Sequence, residues 1–333
     1  MSDDNPPLLI MLDRHLGNFL VASPVLTHIA REKPGTQAVI NASHWALAQR
    51  IPGFPEPCVQ LQGTGNGIKK GLEFLRALRT VRGTKPSWIA DFGGSNTGAL
   101  LGGLSGAPLR ICRKGKPRAG LYNRHAEHPA NGSHRIDTYG TLAQAAGLNG
   151  KWGWPVVSAT SSDRRELEAQ ALPDPATIVC LHVAGGKGYK HWPLDRYASL
   201  CDWLYDQGLR PTLVGAGPDR PSADAVKALC KQQPIDLVQQ LSLGTLIARL
   251  ERCRLFIGND SGPMHLAAAA GAPIIGLFGP TDPARWGPLT EKRTLIRGTE
   301  PIAPEEGKKH VQDGRRMDSI PLEAVTDAIT QAL

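Results

Sequence analysis

Short apolar runs alternate along this chain with segments whose apolar residues recur at helical spacing, and the alternation restarts near its middle. Leu8 to Leu12 predicts a first strand, Asp13 to Gly17 a turn, and Asn18 to Glu32 a helix that Pro34-Gly35 ends. Pro24 is expected to interrupt that helix or to start its regular part. Ala38 to Asn41 begins the next strand, Ser43 to Arg50 a short helix, and Gly71 to Val81 a longer one with Leu72, Leu75 and Leu78 on one side. Trp88 to Phe92 reads as a strand, Gly93 to Asn96 as a turn, and Ala99 to Leu104 as helical. Residues 106 to 137 break this rhythm: no long apolar period runs through them, and Arg110, Arg113, Lys114, Lys116, Arg118, Arg124 and Arg135 stand among Gly, Pro and His. They read as a loop-rich cationic surface, either a binding face or a solvated one.

A helix around Asp137 to Ala146 precedes Gly150 to Asp163, whose Trp, Pro and Ser/Thr content marks an interdomain linker. The pattern then restarts with strands at Ile178 to Val183 and Arg210 to Val214, and helices at Leu194 to Tyr205, Pro221 to Cys230 and Leu243 to Arg252. In Phe256 to Pro280 two compact apolar strands enclose Asn259, Asp260, Ser261 and a helix carrying His265. Leu322, Val325, Ile329 and Leu333 form a stripe on a last helix, with Pro321 near its first turn. The expected architecture is α/β, with two mainly parallel sheets facing a cleft: domains at 1–155 and 156–320, and a terminal helix at 321–333 that closes the second domain or packs back on the first.

A length of 333 residues fits two domains. The balance of 38 Lys plus Arg against 30 Asp plus Glu gives a net charge of +8, which favours anionic partners. With 5% aromatic residues and no basic-aromatic platform, nucleic acid is not expected among them. Six cysteines without a CxxC pair indicate reduced, mostly buried thiols rather than zinc or disulfides, and hence a cytoplasmic chain. The acidic start lacks the form of a signal peptide and no apolar run is long enough to span a bilayer, so any membrane contact is peripheral.

The candidate chemistry sits at strand ends. Asp260-Ser261-Gly262 opens a helix, which is either an ordinary N-cap or a set of backbone N–H groups that bind phosphate, with His265 on the anion or on Asp260, or simply buried. Asp260 would repel a diphosphate directly and so serves to orient its neighbours or to accept a sugar hydroxyl. Ala184-Gly185-Gly186 lets a ligand approach the backbone, and Lys190, with Lys187 as alternate, offers a phosphate ligand, although the order is not that of a P-loop. Asp219 ends a glycine turn as a loop residue or a ribose contact, and Thr281 borders the nucleotide.

Three stretches carry a resemblance: Arg14-His15-Leu16-Gly17-Asn18 through Pro24, His182 to Pro193 with Lys190-His191-Trp192-Pro193, and Gly258 to Phe278. Together they resemble glycosyltransferase family 9, the ADP-heptose:lipopolysaccharide heptosyltransferases, in order over nearly the whole chain. The resemblance implies a GT-B fold of two Rossmann-like domains, donor on the second and acceptor on the first. It implies transfer of heptose from ADP-heptose to lipopolysaccharide inner core with inversion, and no cofactor or metal. Ala184, Gly185 and Lys190 then match positions on the donor phosphates, Asp219 the ribose contact, and Asp260, Ser261, Gly262 and His265 the donor turn. Arg14, Arg110, Arg113, Lys116 and Arg118 would suit an anionic core glycolipid acceptor, and a monomer at the inner face of the inner membrane is expected. Where the family places an Asp that activates the acceptor, this chain has Asn18, and an amide cannot take a proton near neutral pH. Asp13 and His15 are the substitutes within reach. A noncatalytic nucleotide-sugar or glycan-binding protein, or a transferase with another donor, is the competing expectation.

Overall fold

The computed structural model describes residues 5–62, 67–116, 118–185, 190–302 and 315–333, which form two compact units, 1–155 and 156–333. In the first unit the order is β1 (Leu8–Met11), α1 (Leu16–Glu32), β2 (Gln37–Asn41), α2 (Trp45–Ala48), β3 (Glu56–Leu61), α3 (Gly67–Gly83), β4 (Trp88–Asp91), α4 (Asn96–Leu104), β5 (Leu109–Arg113), β6 (Arg124–Ala126) and α5 (Arg135–Ala145). The second contains α6 (Ser161–Glu168), β7 (Ile178–His182), α7 (Leu194–Asp206), β8 (Arg210–Leu213), α8 (Arg220–Leu229), β9 (Ile235–Asp236), α9 (Leu243–Leu250) and β10 (Leu255–Asn259). It ends with α10 (Gly262–Ala269), β11 (Ile274–Phe278), α11 (Pro283–Trp286), β12 (Arg293–Arg297) and α12 (Leu322–Ala332).

Each unit holds one six-stranded, wholly parallel sheet, ordered β3-β2-β1-β4-β5-β6 and β12-β11-β10-β7-β8-β9. Both are Rossmann-like, and together they make the GT-B class of fold. In each sheet the strand order reverses at one place, between β1 and β4 and between β7 and β10, where the connecting segments diverge and leave a crevice at the carboxyl ends. Central strands buried on both faces explain why β1, β7, β10 and β11 read as continuous apolar runs.

Three expectations are corrected. Helix α1 starts at Leu16 and runs without interruption through Pro24. A proline there deprives the Leu20 carbonyl of its intrahelical donor, and the hydroxyl of Ser23 supplies one instead, at 2.8 Å. Residues 106 to 137 contain two strands, β5 and β6, which their flanking arginines conceal; Arg113 itself is buried at the end of β5. Leu72 and Leu75 do not share the core face of α3 with Leu78, because steps of three residues drift by about 60° each around a helix. The sheet-facing positions are Phe74, Ala77, Leu78 and Val81, while Leu72 and Leu75 are 51% and 60% exposed.

The second core collects Trp192, Tyr197 and Leu200 with strand residues Leu181, Ile257 and Leu277, and α12 joins it through Val325, Ala328 and Ile329. Trp192 is fully buried, stacks edge-on against Tyr197 at 4.9 Å and donates its indole N–H to the Ile320 carbonyl. The six cysteines are free thiols. No helix among the described residues is long and apolar enough to cross a membrane.

Replacing Ser23 by Ala should cost about 1–3 kcal/mol, the penalty of a buried carbonyl left unmet. In a Pro24→Ala background, where a backbone N–H returns, the same change should cost much less. Urea unfolding of the four proteins of this double-mutant cycle measures the coupling.

Candidate functional site

At the crevice of the second sheet the carboxyl ends of β7 and β10 bring His182 and Asn259 side by side. Asn259 is wholly buried, and its amide works in both directions. Its Oδ1 accepts from the Trp192 backbone N–H and the Tyr197 hydroxyl, each at 3.2 Å, and its Nδ2 donates to the Ala184 carbonyl at 3.2 Å. The segment after β7 is thereby tied to β10 on both sides of its glycine turn. Within that turn His191 Nε2 contacts the Gly185 carbonyl at 2.6 Å, and a Cβ at Gly185 would crowd the His191 ring at 3.2 Å. Gly186 and Lys187 lie outside the described residues.

Asp260 follows β10 directly. Its Oδ2 accepts from Lys190 Nζ at 2.9 Å and from the Thr281 hydroxyl at 2.7 Å, and its Oδ1 lies 3.9 Å from His265 Nε2. Four residues singled out in the sequence thus meet at one carboxylate, whose task is to hold the lysine, the threonine and the histidine in place. Ser261 occupies the N-cap position of α10 but makes no side-chain cap; its hydroxyl turns to His182 Nδ1 at 3.2 Å. Among the described residues the Gly262 N–H at the start of α10 thus has no side-chain cap from Ser261 and can meet another acceptor, while Pro263 offers no N–H. His182 Nε2 lies 3.4 Å from Asp219 Oδ2, which also accepts from the Ala216 N–H at 2.7 Å. Burial would raise the Asp219 carboxyl, but these bonds hold it below the ordinary carboxylate value.

In the first unit the corresponding crevice lies between β1 and β4. Asp13 leaves β1, and its Oδ1 receives both the backbone N–H and the ring Nδ1 of His15, at 2.8 and 2.9 Å, while its Oδ2 receives the Asn18 amide at 2.8 Å. Burial works to raise the Asp13 carboxyl, yet the donors of His15 and Asn18 prevail and keep it below its usual range. Both oxygens are engaged, whereas the His15 side chain is 83% exposed. With Nδ1 as the donor to Asp13, Nε2 is the basic atom and faces outward. His44 closes the far side, its Nε2 against the Asp13 carbonyl at 2.9 Å, and burial pushes its pKa down.

Next in the sheet, Asp91 ends β4 and is buried beneath the Tyr122 hydroxyl at 2.6 Å and the Gly94 N–H at 2.7 Å. Gly94 turns with φ +66°, and a Cβ there would collide with the Lys116 side chain. Arg113 is 7% exposed and packs with Arg135 around the ring of Tyr139, at 5.9 and 5.0 Å. Its Nε meets no hydrogen-bond partner among the described residues. Burial and then the neighbouring Arg135 charge push the Arg113 pKa down, and burial followed by Arg113 and Arg135 does the same to Lys116. A positive field this concentrated is suited to an anion.

The remaining basic residues are placed otherwise. Arg110 donates to the carbonyls of Leu121 and Ala107, Arg118 is exposed with a left-handed backbone, and Arg14 is exposed beside His15. Among the described residues no group of three or more His, Cys, Asp or Glu is placed to hold a metal ion. His182, Asn259 and Asp91 have no individual role in the sequence reading, nor has Tyr139, and Arg135 enters it only as one of a cationic run. The first three share one signal: a polar residue that terminates a fully apolar parallel strand.

The profile of "Glycosyltransferase family 9 (heptosyltransferase)" matches residues 75–314, more than half of the chain. The chain belongs to glycosyltransferase family 9. It is 33% identical over 309 residues to Lipopolysaccharide heptosyltransferase 2 of Escherichia coli, covering 87% of each protein. Its similarity to Lipooligosaccharide heptosyltransferase 2 of Haemophilus influenzae, 34% identical over 112 residues, spans 32% of this chain and 32% of that protein. The family 9 glycosyl transferase of Veillonella parvula shares the fold at a TM-score of 0.84 and 19% identity, over 100% of this chain and 98% of that one. In this family 9 chain, then, the crevice residues belong to a glycosyltransferase scaffold.

Because Asp13 is held ionised by its donors, its contribution to stability is present above the unfolded value of about 3.9 and is lost as pH falls through the lower folded value. The stability gap between wild type and Asp13→Asn should therefore be widest near neutral pH and shrink in acid, as thermal unfolding across that range would show. Asn259→Leu should cost at least about 2 kcal/mol, since three buried groups lose their partner at once.

Proposed function

We propose that this protein transfers heptose from ADP-heptose to an anionic lipopolysaccharide inner-core acceptor with inversion at the anomeric carbon. The observation that carries the reading is Lys190, paired with the Asp260 carboxylate that Thr281 also bonds, in the same unit as a helix start that its own N-cap side chain leaves open. A diphosphate satisfies both: its oxygens accept from the N–H groups at the start of α10, and Lys190 neutralises charge that grows as ADP departs. Asp219 retains one carboxylate oxygen outside its bonds to Ala216 and His182, which suits a ribose hydroxyl. The names of the curated relatives, heptosyltransferases acting on lipopolysaccharide or lipooligosaccharide, support the sugar and the acceptor class.

In the first unit the Asp13–His15 pair serves as the base. The acceptor hydroxyl gives its proton to His15 Nε2 while its oxygen bonds to the anomeric carbon, and the bond from that carbon to the diphosphate breaks with its electron pair going to ADP. Asp13 keeps the imidazole in the required tautomer and stabilises the imidazolium. Asn18, whose nitrogen is turned to Asp13, presents its carbonyl oxygen to the incoming hydroxyl and orients it. Arg113, Lys116 and Arg135 supply positive charge for the carboxylates and phosphates of the acceptor, and Arg14 lies beside the base.

Product formation should be measured by mass spectrometry over a panel of ADP-linked and other nucleotide-linked sugars with core acceptors. Transfer from ADP-heptose should dominate, and His15→Ala should lower kcat by about 10²–10⁴-fold with little change in KM for the donor. Lys190→Ala should lower kcat and donor affinity together. Donor binding without transfer in the wild type would instead make this a binding protein, and reaction only with another nucleotide sugar would remove heptose from the assignment.

A further inference from the structure

Helix α3 has two faces, and only one of them is used by the fold. Ala77, Leu78 and Val81 are buried against the first sheet, while Ile68, Leu72 and Leu75 point outward at 76%, 51% and 60% exposure. At about 100° per residue these three fall within about 60° of arc on the side opposite the core. Arg79 continues the same stripe, Lys69 and Arg76 flank it on one side, and Arg82 flanks it on the other. The helix carries Lys69, Lys70, Arg76, Arg79 and Arg82 against the single acid Glu73. Lys69, Leu72 and Arg76 also border a groove of about 640 Å³ beside the edge strand β3.

We propose that this outer face of α3 docks the protein on an anionic phospholipid bilayer. A ridge of three large aliphatic side chains needs an apolar medium, and flanking cations with long stems need negative charge at the same depth; the boundary between acyl chains and anionic headgroups provides both. A second copy of the chain fits less well, because a two-fold contact through this face would set four cations, Lys69, Arg76, Arg79 and Arg82, against their own images. Docking lays α3 in the plane of the membrane, Ile68, Leu72 and Leu75 entering below the headgroups while Arg76, Arg79 and Arg82 reach back to the phosphates. Why docking would serve the protein rests on the glycolipid reading above; the docking itself does not.

The test is flotation of the full chain with vesicles of phosphatidylcholine, with and without about one third phosphatidylglycerol. Wild type should float with the anionic vesicles, about tenfold or more above the neutral ones, and release as salt is raised. Ile68→Ser/Leu72→Ser/Leu75→Ser should lose about tenfold or more of this binding, and Arg76→Glu/Arg79→Glu should lose a similar share, with unfolding temperature and ADP binding retained in both. Failure of wild type to float on anionic vesicles, or undiminished binding of the triple variant, overturns the proposal. So does a dimer in sedimentation that the triple variant dissolves, since the face would then be a contact between copies. These vesicles hold no acceptor, so their outcome is independent of transfer, and transfer to a detergent-dispersed acceptor tests the glycolipid reading alone.

Discussion

A buried amide must satisfy a donor and an acceptor at once, and Asn259 does so by holding the two ends of one loop. Its oxygen fixes the backbone at Trp192 and its nitrogen the backbone at Ala184, so the glycine turn that begins at Gly185 starts and finishes at defined distances from β10. Lys190 stands two residues before Trp192 and inherits that placement, while Asp260 stands one residue after Asn259. The 2.9 Å pairing of Lys190 with Asp260 is thus set by the same side chain from both directions. Trp192 adds the weight of the core, its indole lying between the Tyr197 ring and the Ile320 carbonyl. An apolar residue at 259 would keep the strand and lose the loop.

The electrostatics of the two crevices follow one logic. A lysine cannot wait in a half-buried site without a counter-charge, and Asp260 provides one that the diphosphate of the proposed donor would outbid without removing. In the first unit the balance is tilted further. Arg113 and Lys116 are desolvated and repel each other and Arg135, and the opposing carboxylates are Asp91, sealed beneath Tyr122, and Asp13, already engaged by His15 and Asn18. Positive charge that has lost its water, as at Arg113 and Lys116, would be stabilised by the anionic acceptor proposed above.

Much of this was readable because the sheets are parallel. Strands buried on both faces appear as unbroken apolar runs, and the polar residues just beyond them, Asp13 and Asp260 to Gly262, stand out. The same signal lay at the last positions of β4, β7 and β10, but Asp91 and His182 were absorbed into the strands they end, and Asn259 was read only as one polar residue between two strands. Their roles depend on which strands are neighbours, and β7 and β10 are separated by more than seventy residues. Charge misled in another way: arginines in β5 disguised a strand, although one of them, Arg113, is buried there. In α1 and α3 the local rules were sound and incomplete, since Ser23 answers the donor that Pro24 lacks, and a three-residue spacing walks away from the core.

The exchange at position 18 is understood from the carboxylate it faces. Where family 9 is expected to carry its base, this chain turns an amide nitrogen toward Asp13 Oδ2 at 2.8 Å. A carboxylate at 18 with Asp13 unchanged would bring two anions to hydrogen-bond distance, and such a pair retains a shared proton and a raised pKa. The asparagine is therefore a partner that suits the ionised Asp13, and the two positions form one hydrogen-bonded pair. With the charge moved five residues toward the strand end, the carboxylate is no longer at the surface of the crevice. The exposed group bonded to it is His15, and on the function proposed above the atom that meets the acceptor hydroxyl is an imidazole nitrogen backed by this carboxylate.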